Sequence, residues 1–228
     1  MKSLFITTAK NIYLKIKSII MSEMYDELLP NETILMPKQA TAFNGDFNVA
    51  NEFLKLKEEF DVSKIVECGS CVGGTTKWMG ANFENVISIE INEDFRNICL
   101  ERIKGLDNIS SILGNSTEHL SSILGNCQDN TILYLDDHWQ EYFPLFDELK
   151  KIKESGIKPI IVIHDCKVPD EPKLGFDSYN GVDISYDNIK PYIEDIYGVD
   201  GYEYYYNSDE KSTEVKRGLI YIKPKINE

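Results

Sequence analysis

Carboxylates and histidines follow two apolar segments of the sequence. TILYLDDHW carries Asp136, Asp137 and His138 after its apolar run, and PIIVIHDC carries His164 and Asp165. Carboxylate oxygens are the ligands that hard divalent cations prefer. If the two segments are neighbouring parallel strands, their carboxyl ends meet at one edge of the sheet. We therefore predict that Asp136, Asp137 and Asp165 supply ligands there for Mg²⁺ or another divalent cation.

Such a cation would give the site a chemical use. It can hold vicinal hydroxyls of a substrate, lower the pKa of one of them and orient it for reaction. The same residues also suit structural roles, because Asp136 and Asp137 can form a turn and a helix N-cap before WQEYFPLFDEL. One aspartate can cap the helix while the other binds the cation, and the sequence leaves that choice open.

The stretch VECGSCVGGTTKWMG contains three overlapping patterns. Cys68 and Cys71 have the spacing of a redox Cys-x-x-Cys pair, but that interpretation explains only four residues. A dinucleotide-binding loop needs a second glycine where Cys71 stands. Glu67, Gly69 and Gly73 instead satisfy acidic-x-Gly-x-x-x-Gly, whose glycines allow a tight strand-to-helix turn. A plain glycine turn beside a buried Cys68 is the structural alternative.

This pattern resembles the first motif of class I S-adenosylmethionine-dependent methyltransferases. The resemblance implies that the glycines contact the methionine part of the cofactor and that Glu67 pairs with its ammonium group. Glu90 lies 23 positions later (90 minus 67) and ends a candidate strand, where a carboxylate can accept both ribose hydroxyls. Asn115 matches the position that contacts adenine, although Asn is also common in turns. The residues predicted to bind the cofactor are Glu67, Gly69, Ser70, Gly73, Glu90, Asn115 and Ser116.

The second constellation resembles a narrower group. YLDDHW is similar to the metal-binding segment of catechol O-methyltransferases, and IVIHDC resembles the end of their fifth strand. A looser likeness extends to macrocin-type sugar O-methyltransferases and the cephalosporin-hydroxylase-like group. The chain departs from the catechol enzymes in three ways. It has an extra Asp beside Asp136, Cys166 stands where those enzymes have an Asn ligand, and Gln140 falls near the position of their general-base lysine. His138, His164 and Asp136 are therefore the candidate catalytic residues.

The elements that must position these residues alternate along the chain, which predicts an α/β fold. We expect a doubly wound, Rossmann-like sheet of seven mostly parallel strands. The last two strands are joined by a polar link that suits a hairpin, so the C-terminal strand should be antiparallel. A long loop at 167–184 follows the fifth strand, where such folds keep their ligands. The predicted strands are 63–68, 85–90, 108–113, 131–136, 159–165, 202–207 and 217–223, and the predicted helices are 74–81, 93–104, 116–124 and 140–154.

Charge and cysteine content indicate the cellular compartment and the partners of the protein. The chain has 38 acidic and 24 basic side chains, a formal charge of −14, and should therefore repel nucleic-acid phosphates. Its five cysteines make an odd count in a chain too large to need disulfides. These features predict reduced thiols, a cytoplasmic location and no nucleic-acid partner.

The N-terminal residues have helical apolar spacing interrupted by lysines. Lys10, Lys15 and Lys17 break the apolar run that a membrane span or signal peptide would need, so stable membrane insertion is not expected. We expect this N-terminal amphipathic helix to pack on the domain or on a second subunit, and a homodimer is one candidate assembly. We assign residues 1–47 to an N-terminal helical cap segment and residues 48–228 to an S-adenosylmethionine-binding methyltransferase domain.

The resulting hypothesis is an S-adenosylmethionine-dependent, Mg²⁺-assisted O-methyltransferase. Its acceptor would be a hydroxyl of a small polar molecule, with a sugar as one candidate because Asp177, Tyr179 and Asp183 give the long loop a polar character. A nucleic-acid or protein methyltransferase on the same fold is one alternative. A non-catalytic binding protein that kept the cofactor fold is another.

Overall fold

The computed structural model describes residues 41–139, 141–208 and 216–225 of the chain. Its strands are β1 (Lys64–Cys68), β2 (Asn85–Glu90), β3 (Ile109–Leu113), β4 (Thr131–Leu135), β5 (Ile160–His164), β6 (Ser178–Tyr179), β7 (Val182–Asp183), β8 (Tyr202–Tyr206) and β9 (Leu219–Pro224). Its α-helices are α1 (Phe47–Phe60), α2 (Gly74–Asn82), α3 (Glu93–Arg102), α4 (Ser116–Leu124), α5 (Leu145–Ser155) and α6 (Tyr186–Tyr197). A short 3₁₀ segment, Ala42–Gly45, precedes α1.

Seven strands form one sheet in the order β3-β2-β1-β4-β5-β9-β8. Strands β1 to β5 are parallel, and β9 runs antiparallel between β5 and β8. In register, Val66 of β1 lies between Ile87 of β2 and Leu133 of β4. The predicted doubly wound, mostly parallel sheet with an antiparallel C-terminal strand is confirmed. The order reverses between β1 and β4, and ligands of open α/β sheets bind at that point.

The central strands are apolar on both faces because helices cover both sides of the sheet. Every residue of β4 and β5 is buried. Alternate side chains divide between two cores. Leu133, Leu135 and Ile163 lie on the face covered by α4, α5 and α6, whereas Ile132 and Tyr134 lie on the face covered by α1 and α2.

Helices α1 and α6 were not among the predicted helices. Asp46 caps α1 by accepting hydrogen bonds from the N–H groups of Asn48 at 2.9 Å and Val49 at 3.4 Å. Val49, Phe53 and Leu56 are buried at i, i+4 and i+7, which is the apolar spacing of a helix face. That spacing is readable in the sequence, and a search for it after residue 46 would have found α1.

The segment after β4 also differs from its prediction. A helix was expected over 140–154, but α5 begins at Leu145, after Pro144. Trp139 and Tyr142 exchange backbone hydrogen bonds of 3.0 and 2.9 Å, and this isolated antiparallel bridge closes a short turn before the helix. In the predicted 167–184 loop, β6 and β7 form a small hairpin, and Asp177 precedes it.

Part of the proposed N-terminal cap segment is described. Phe43 is buried against Phe53, Trp78 and Tyr134, with ring centroids 4.9 to 5.9 Å apart. The amphipathic helix and loop expected over residues 1–40, together with Gln140, lie outside the described residues, and the division at residue 47 stays a prediction. In the described portion of the chain, every helix is too short or too polar to cross a membrane.

Candidate active site

The turn between β1 and α2 needs glycine at two positions. Gly69 has a φ of +90°, and Gly73, the N-cap residue of α2, has a φ of +84°. A Cβ atom on Gly69 would lie 2.8 Å from the carbonyl carbon of Asp136 and 2.8 Å from Cα of Asp137. A Cβ atom on Gly73 would lie 2.6 Å from Sγ of Cys99. Conformation and space thus both favour glycine, and the turn packs directly against the residues that follow β4.

Glu90 connects the end of β2 to the same turn. Its two carboxylate oxygens accept hydrogen bonds from the N–H groups of Cys71 at 2.7 Å and Asn92 at 2.8 Å. Burial raises the pKa of Glu90, while those two N–H groups oppose the shift. Each oxygen keeps a further lone pair, so the carboxylate can still accept hydroxyl donors. The geometry suits the predicted ribose contact, which stays a prediction.

Glu67 lies deeper than a cofactor contact would require. It is completely buried, and one of its oxygens accepts hydrogen bonds from Thr76 Oγ1 at 2.5 Å and Ser88 Oγ at 2.6 Å. Its other oxygen, Oε1, has no hydrogen-bond partner in the described part of the chain. Burial raises the pKa of Glu67 to about 7, although the two hydroxyl groups lower it. Oε1 is the atom left for the predicted contact with an ammonium group.

The turn after β3 shows the structural role that the sequence left open for Asn115. Asn115 caps α4, and its Oδ1 accepts hydrogen bonds from Thr117 N at 2.9 Å and from the Tyr142 hydroxyl at 2.6 Å. Ser116 is buried at the start of α4, and Ser70 is buried in the glycine turn. Tyr142 was not predicted, because nothing in the sequence distinguishes it from the other tyrosines. The adenine contact of Asn115 stays a prediction.

The Cys-x-x-Cys pair lacks the acidity of a redox pair. No disulfide joins the five cysteines. Burial raises the pKa of the Cys71 thiol to about 12 and that of Cys68 well above its usual range. Since the thiolate is the reactive form, both groups are poor nucleophiles at neutral pH.

Adjacent strands β4 and β5 bring Asp136, His138 and Asp165 together, with one potential ligand atom of each within 4.8 Å of the others. Nε2 of His138 lies 3.3 Å from Oδ2 of Asp165, and the Tyr134 hydroxyl donates to Oδ2 of Asp136 at 3.0 Å. Two carboxylates and one imidazole fit Mn²⁺ as well as Mg²⁺. His138 thus provides a third donor where Cys166 replaces the expected Asn.

Two cationic side chains lie against these carboxylates. Arg217 forms ion pairs with Asp165 and with Asp177, and Nδ1 of His164 lies 3.1 Å from one oxygen each of Asp136 and Asp165. Burial lowers the pKa of His164, but the two carboxylates outweigh it and raise that pKa well above its ordinary value. His164 therefore holds its proton near neutral pH, which argues against its predicted role as general base.

Arg217 had been overlooked in the sequence. The sequence did carry a signal for it. Arg217 precedes the apolar strand β9, and because β9 runs antiparallel to β5, its first residues lie beside the C-terminal end of β5. Burial raises the pKa of Asp165, but the neighbouring His164, His138 and Arg217 hold it far below its ordinary value. The carboxylate of Asp165 thus stays ionised.

Asp137 belongs to a different cluster. One of its carboxylate oxygens lies within 4.8 Å of Cys68 Sγ and of a Glu148 oxygen. Successive residues of an extended segment point to opposite sides, so Asp136 and Asp137 cannot both face Asp165. The structure thus groups Asp137 with Cys68 and Glu148, and His138 joins Asp136 and Asp165, while the metal ligation predicted for Asp137 stays a prediction.

A cavity of about 540 Å³ adjoins the cluster. It is lined by aromatic and polar side chains, namely Trp139, Phe176, Asp177, Ser178 and Tyr179. Trp139 is 56% exposed and Phe176 is 37% exposed, so apolar rings face the opening. Because Asp177 also pairs with Arg217, the cavity and the carboxylate cluster share a wall.

The fold is shared with solved structures. An O-methyltransferase from Bacillus cereus, in complex with SAH (S-adenosylhomocysteine), has a TM-score of 0.52 and 15% identity, covering 93% of this chain and 88% of that chain. A Staphylococcus aureus protein provisionally named a caffeoyl-CoA O-methyltransferase has a TM-score of 0.53 and 15% identity, covering 78% and 83%. The methyltransferase domain of bacterial CtHen1 has a TM-score of 0.52 and 12% identity, covering 76% and 96%.

The fold is that of class I methyltransferases. Identities this low establish the fold alone. By sequence, the chain matches no protein-family model and no curated protein.

The contact between Gly69 and the residues after β4 can be tested with a matched pair of substitutions. Gly69 and Gly105 both have a φ of +90°, but a Cβ atom on Gly105 would meet nothing within 4 Å. We expect Gly69→Ala to lower the free energy of unfolding by about 1–3 kcal/mol more than Gly105→Ala, because only Gly69→Ala overpacks. Urea unfolding measures both, and equal losses would contradict the close contact.

Buried Glu67 predicts a pH dependence of stability. Its pKa rises from 4.5 in an unfolded chain to about 7, so the folded protein binds the proton more tightly. Stability from this group is present below about pH 4.5 and is lost as the pH rises to about 7, a change of about 3 kcal/mol. Glu67→Gln should remove that part of the slope in urea unfolding, whereas exposed Glu58→Gln should keep the wild-type slope.

Proposed function

We propose that the protein is an S-adenosylmethionine-dependent methyltransferase that methylates a hydroxyl group of a small polar molecule. The observation that carries this proposal is the packing of Gly69 against Asp136 and Asp137. It makes the candidate cofactor turn and the candidate acceptor cluster adjoin at the point where the strand order reverses. A methyl donor and a hydroxyl held on the two sides of this contact would be neighbours.

The cofactor half of the site rests on Glu90 and the glycine turn. Gly69 is partly exposed in the turn, and Glu90 offers two carboxylate oxygens to a ribose. Gly69, Ser70 and Gly73 would contact the methionine part, Glu67 would meet its ammonium group through Oε1, and Asn115 and Ser116 would border the adenine. Each of these assignments is part of the proposal.

The acceptor half rests on Asp136, whose side chain is 27% exposed. It can accept a hydrogen bond from a substrate hydroxyl and orient the oxygen toward the methyl group. In the reaction the oxygen forms a bond to the methyl carbon, the carbon–sulfur bond breaks, and the hydroxyl proton passes to a base or to water. His138 is the candidate base while it holds no cation, because His164 is already protonated; when His138 serves as a metal ligand, the proton would pass to water.

A divalent cation fits the donor set of Asp136, His138 and Asp165. When bound, it would lower the pKa of an acceptor hydroxyl. Arg217 and protonated His164 compete for the same carboxylates, so the cation should bind more weakly than in a site of free carboxylates. Mg²⁺ and Mn²⁺ are both candidates, and the imidazole favours Mn²⁺.

The cavity beside the cluster supports a sugar as acceptor. Sugar rings present apolar C–H faces that pack on aromatic rings such as Trp139 and Phe176, while their hydroxyls can bond to Asp177 and Ser178. A flat catechol would use the aromatic rings but leave most of these polar groups without partners. We also propose a cytoplasmic location and a homodimeric assembly, both of which are consistent with this function.

The first experiment is calorimetric titration with S-adenosylmethionine and S-adenosylhomocysteine. We expect micromolar binding to the wild type and at least about tenfold weaker binding to Glu90→Gln, because one carboxylate–hydroxyl bond is worth about 1.5–3 kcal/mol. Exposed Glu93→Gln at the start of α3 is the matched control and should bind like the wild type. An absence of binding by the wild type would leave only the fold.

The metal component can be tested separately. Methyl transfer to a panel of sugars and catechols should be lost in EDTA and restored by Mn²⁺ or Mg²⁺, and Asp165→Asn should abolish the restored activity. Asp177→Asn also removes a partner of Arg217 but removes no proposed metal ligand. The activity that this variant retains should therefore still be lost in EDTA and restored by the metal. Full activity in EDTA would refute the metal, and turnover of catechols alone would refute the sugar.

A further inference from the structure

A second cluster of potential metal ligands lies behind the candidate active site. Cys68 ends β1, Asp137 follows β4, and Glu148 lies on α5, yet one ligand atom of each lies within 4.8 Å of the others. Cys68 and Glu148 are completely buried. The function proposed above uses none of these three side chains.

Three buried oxygen atoms at this cluster, two of Glu148 and one of Ser116, make no hydrogen bond of normal geometry within the described residues. The groups that act most strongly on Glu148 are the Asp137 carboxylate, the Ser116 hydroxyl and the Cys68 thiol, none of which is cationic. The Ser116 hydroxyl and the Cys68 thiol are donors beside Glu148, but neither carries a positive charge, so two neighbouring buried carboxyl groups need a proton or a cation to compensate them.

Two arrangements can meet that requirement. Asp137 and Glu148 can share a proton, as close carboxyl pairs do. Alternatively a cation can bind, which also satisfies the sulfur of Cys68 and the hydroxyl of Ser116. One sulfur and two or three oxygens at this spacing suit a four-coordinate site, and a thiolate selects Zn²⁺ over Mg²⁺.

We propose that Cys68, Asp137 and Glu148 form a buried structural site for a transition-metal dication, Zn²⁺ by its donor set, with Ser116 as a fourth donor. The buried oxygens of Glu148 favour this arrangement over the shared proton, because one proton compensates only one of the two carboxylates, whereas a dication compensates both and also binds the Cys68 sulfur. On binding, the Cys68 thiol loses its proton to solvent, and so does any protonated carboxyl of the pair.

Such a site would set the geometry of the candidate active site. The cation would join the end of β1, the segment that carries Asp136 and His138, and helix α5. Because Asp137 is the residue next to Asp136, its ligation would fix the direction in which Asp136 faces. Cys68 and Glu148 are completely buried and Asp137 is half-buried, and the cluster is distinct from the proposed site for a catalytic cation.

The test uses cobalt, because a Co²⁺–thiolate bond gives a charge-transfer absorption in the near ultraviolet that oxygen and nitrogen ligands do not give. The full chain, stripped with chelator, is titrated with Co²⁺ and then with Zn²⁺. We expect the band to appear at about one Co²⁺ per chain and to be displaced by Zn²⁺. Cys68→Ser should lose the band, and Glu148→Gln should weaken Co²⁺ binding by at least about tenfold.

Two control variants separate this site from its surroundings. Asp165→Asn removes a carboxylate of the other cluster and should keep the band, as should Cys127→Ser, which changes a cysteine outside the site. Zn²⁺ should also raise the melting temperature of the wild type but not that of Glu148→Gln. This readout involves no methyl transfer, so it can fail or succeed independently of the proposed function.

Three results would overturn the proposal. They are a wild-type chain that gives no band, a band that survives Cys68→Ser, and a Glu148→Gln variant that gains stability at neutral pH without any change in metal binding. The last result would show that Asp137 and Glu148 share a proton instead.

Discussion

The close approach of the β1–α2 turn to the segment after β4 is the constraint on which the site depends. Parallel pairing of β1 with β4 places Cys68 beside Leu135, so the chain leaving β1 must pass directly over the chain leaving β4. A side chain at Gly69 would occupy the space of the Asp136 backbone. The glycine therefore does more than permit a turn, since it lets two halves of the candidate site share one boundary.

Charge compensation differs between the two carboxylate clusters on either side of that boundary. Asp136 and Asp165 face Arg217 and a protonated His164, so this cluster is balanced without a bound ion. Glu148 faces the Asp137 carboxylate, the Cys68 thiol and the Ser116 hydroxyl, and Asp137 also lies near His138. The first arrangement suits a site that exchanges its occupants, because protein cations can take the place of a metal. The second would suit a permanent occupant, because the described groups that act most strongly on Glu148 include no cationic side chain that could take its place.

The fold was largely predictable because its signals are local. Apolar β-branched runs predict strands, glycines predict the turns, and helix-period segments predict the helices between them. The strand order then follows from right-handed crossovers. Helix α5 was placed five residues too early because the turn made by Trp139 and Tyr142 depends on backbone pairing that composition does not show. Helix α1 was not predicted, although the apolar spacing of Val49, Phe53 and Leu56 after the Asp46 cap is a local signal of the same kind.

The site was predictable to the level of its strand ends and no further. Residue types at those ends identified Glu90, Asp136 and Asp165, since topology alone brings strand ends together. Which of two adjacent aspartates faces the cluster depends on the direction of one extended residue, and the sequence carries no sign of it. Arg217 reaches the cluster from the far end of the chain, through the antiparallel pairing of β9 with β5. Charge balance among residues so distant in sequence can be evaluated only when the sheet order is known, and it decides whether an acidic strand end binds a metal or an arginine.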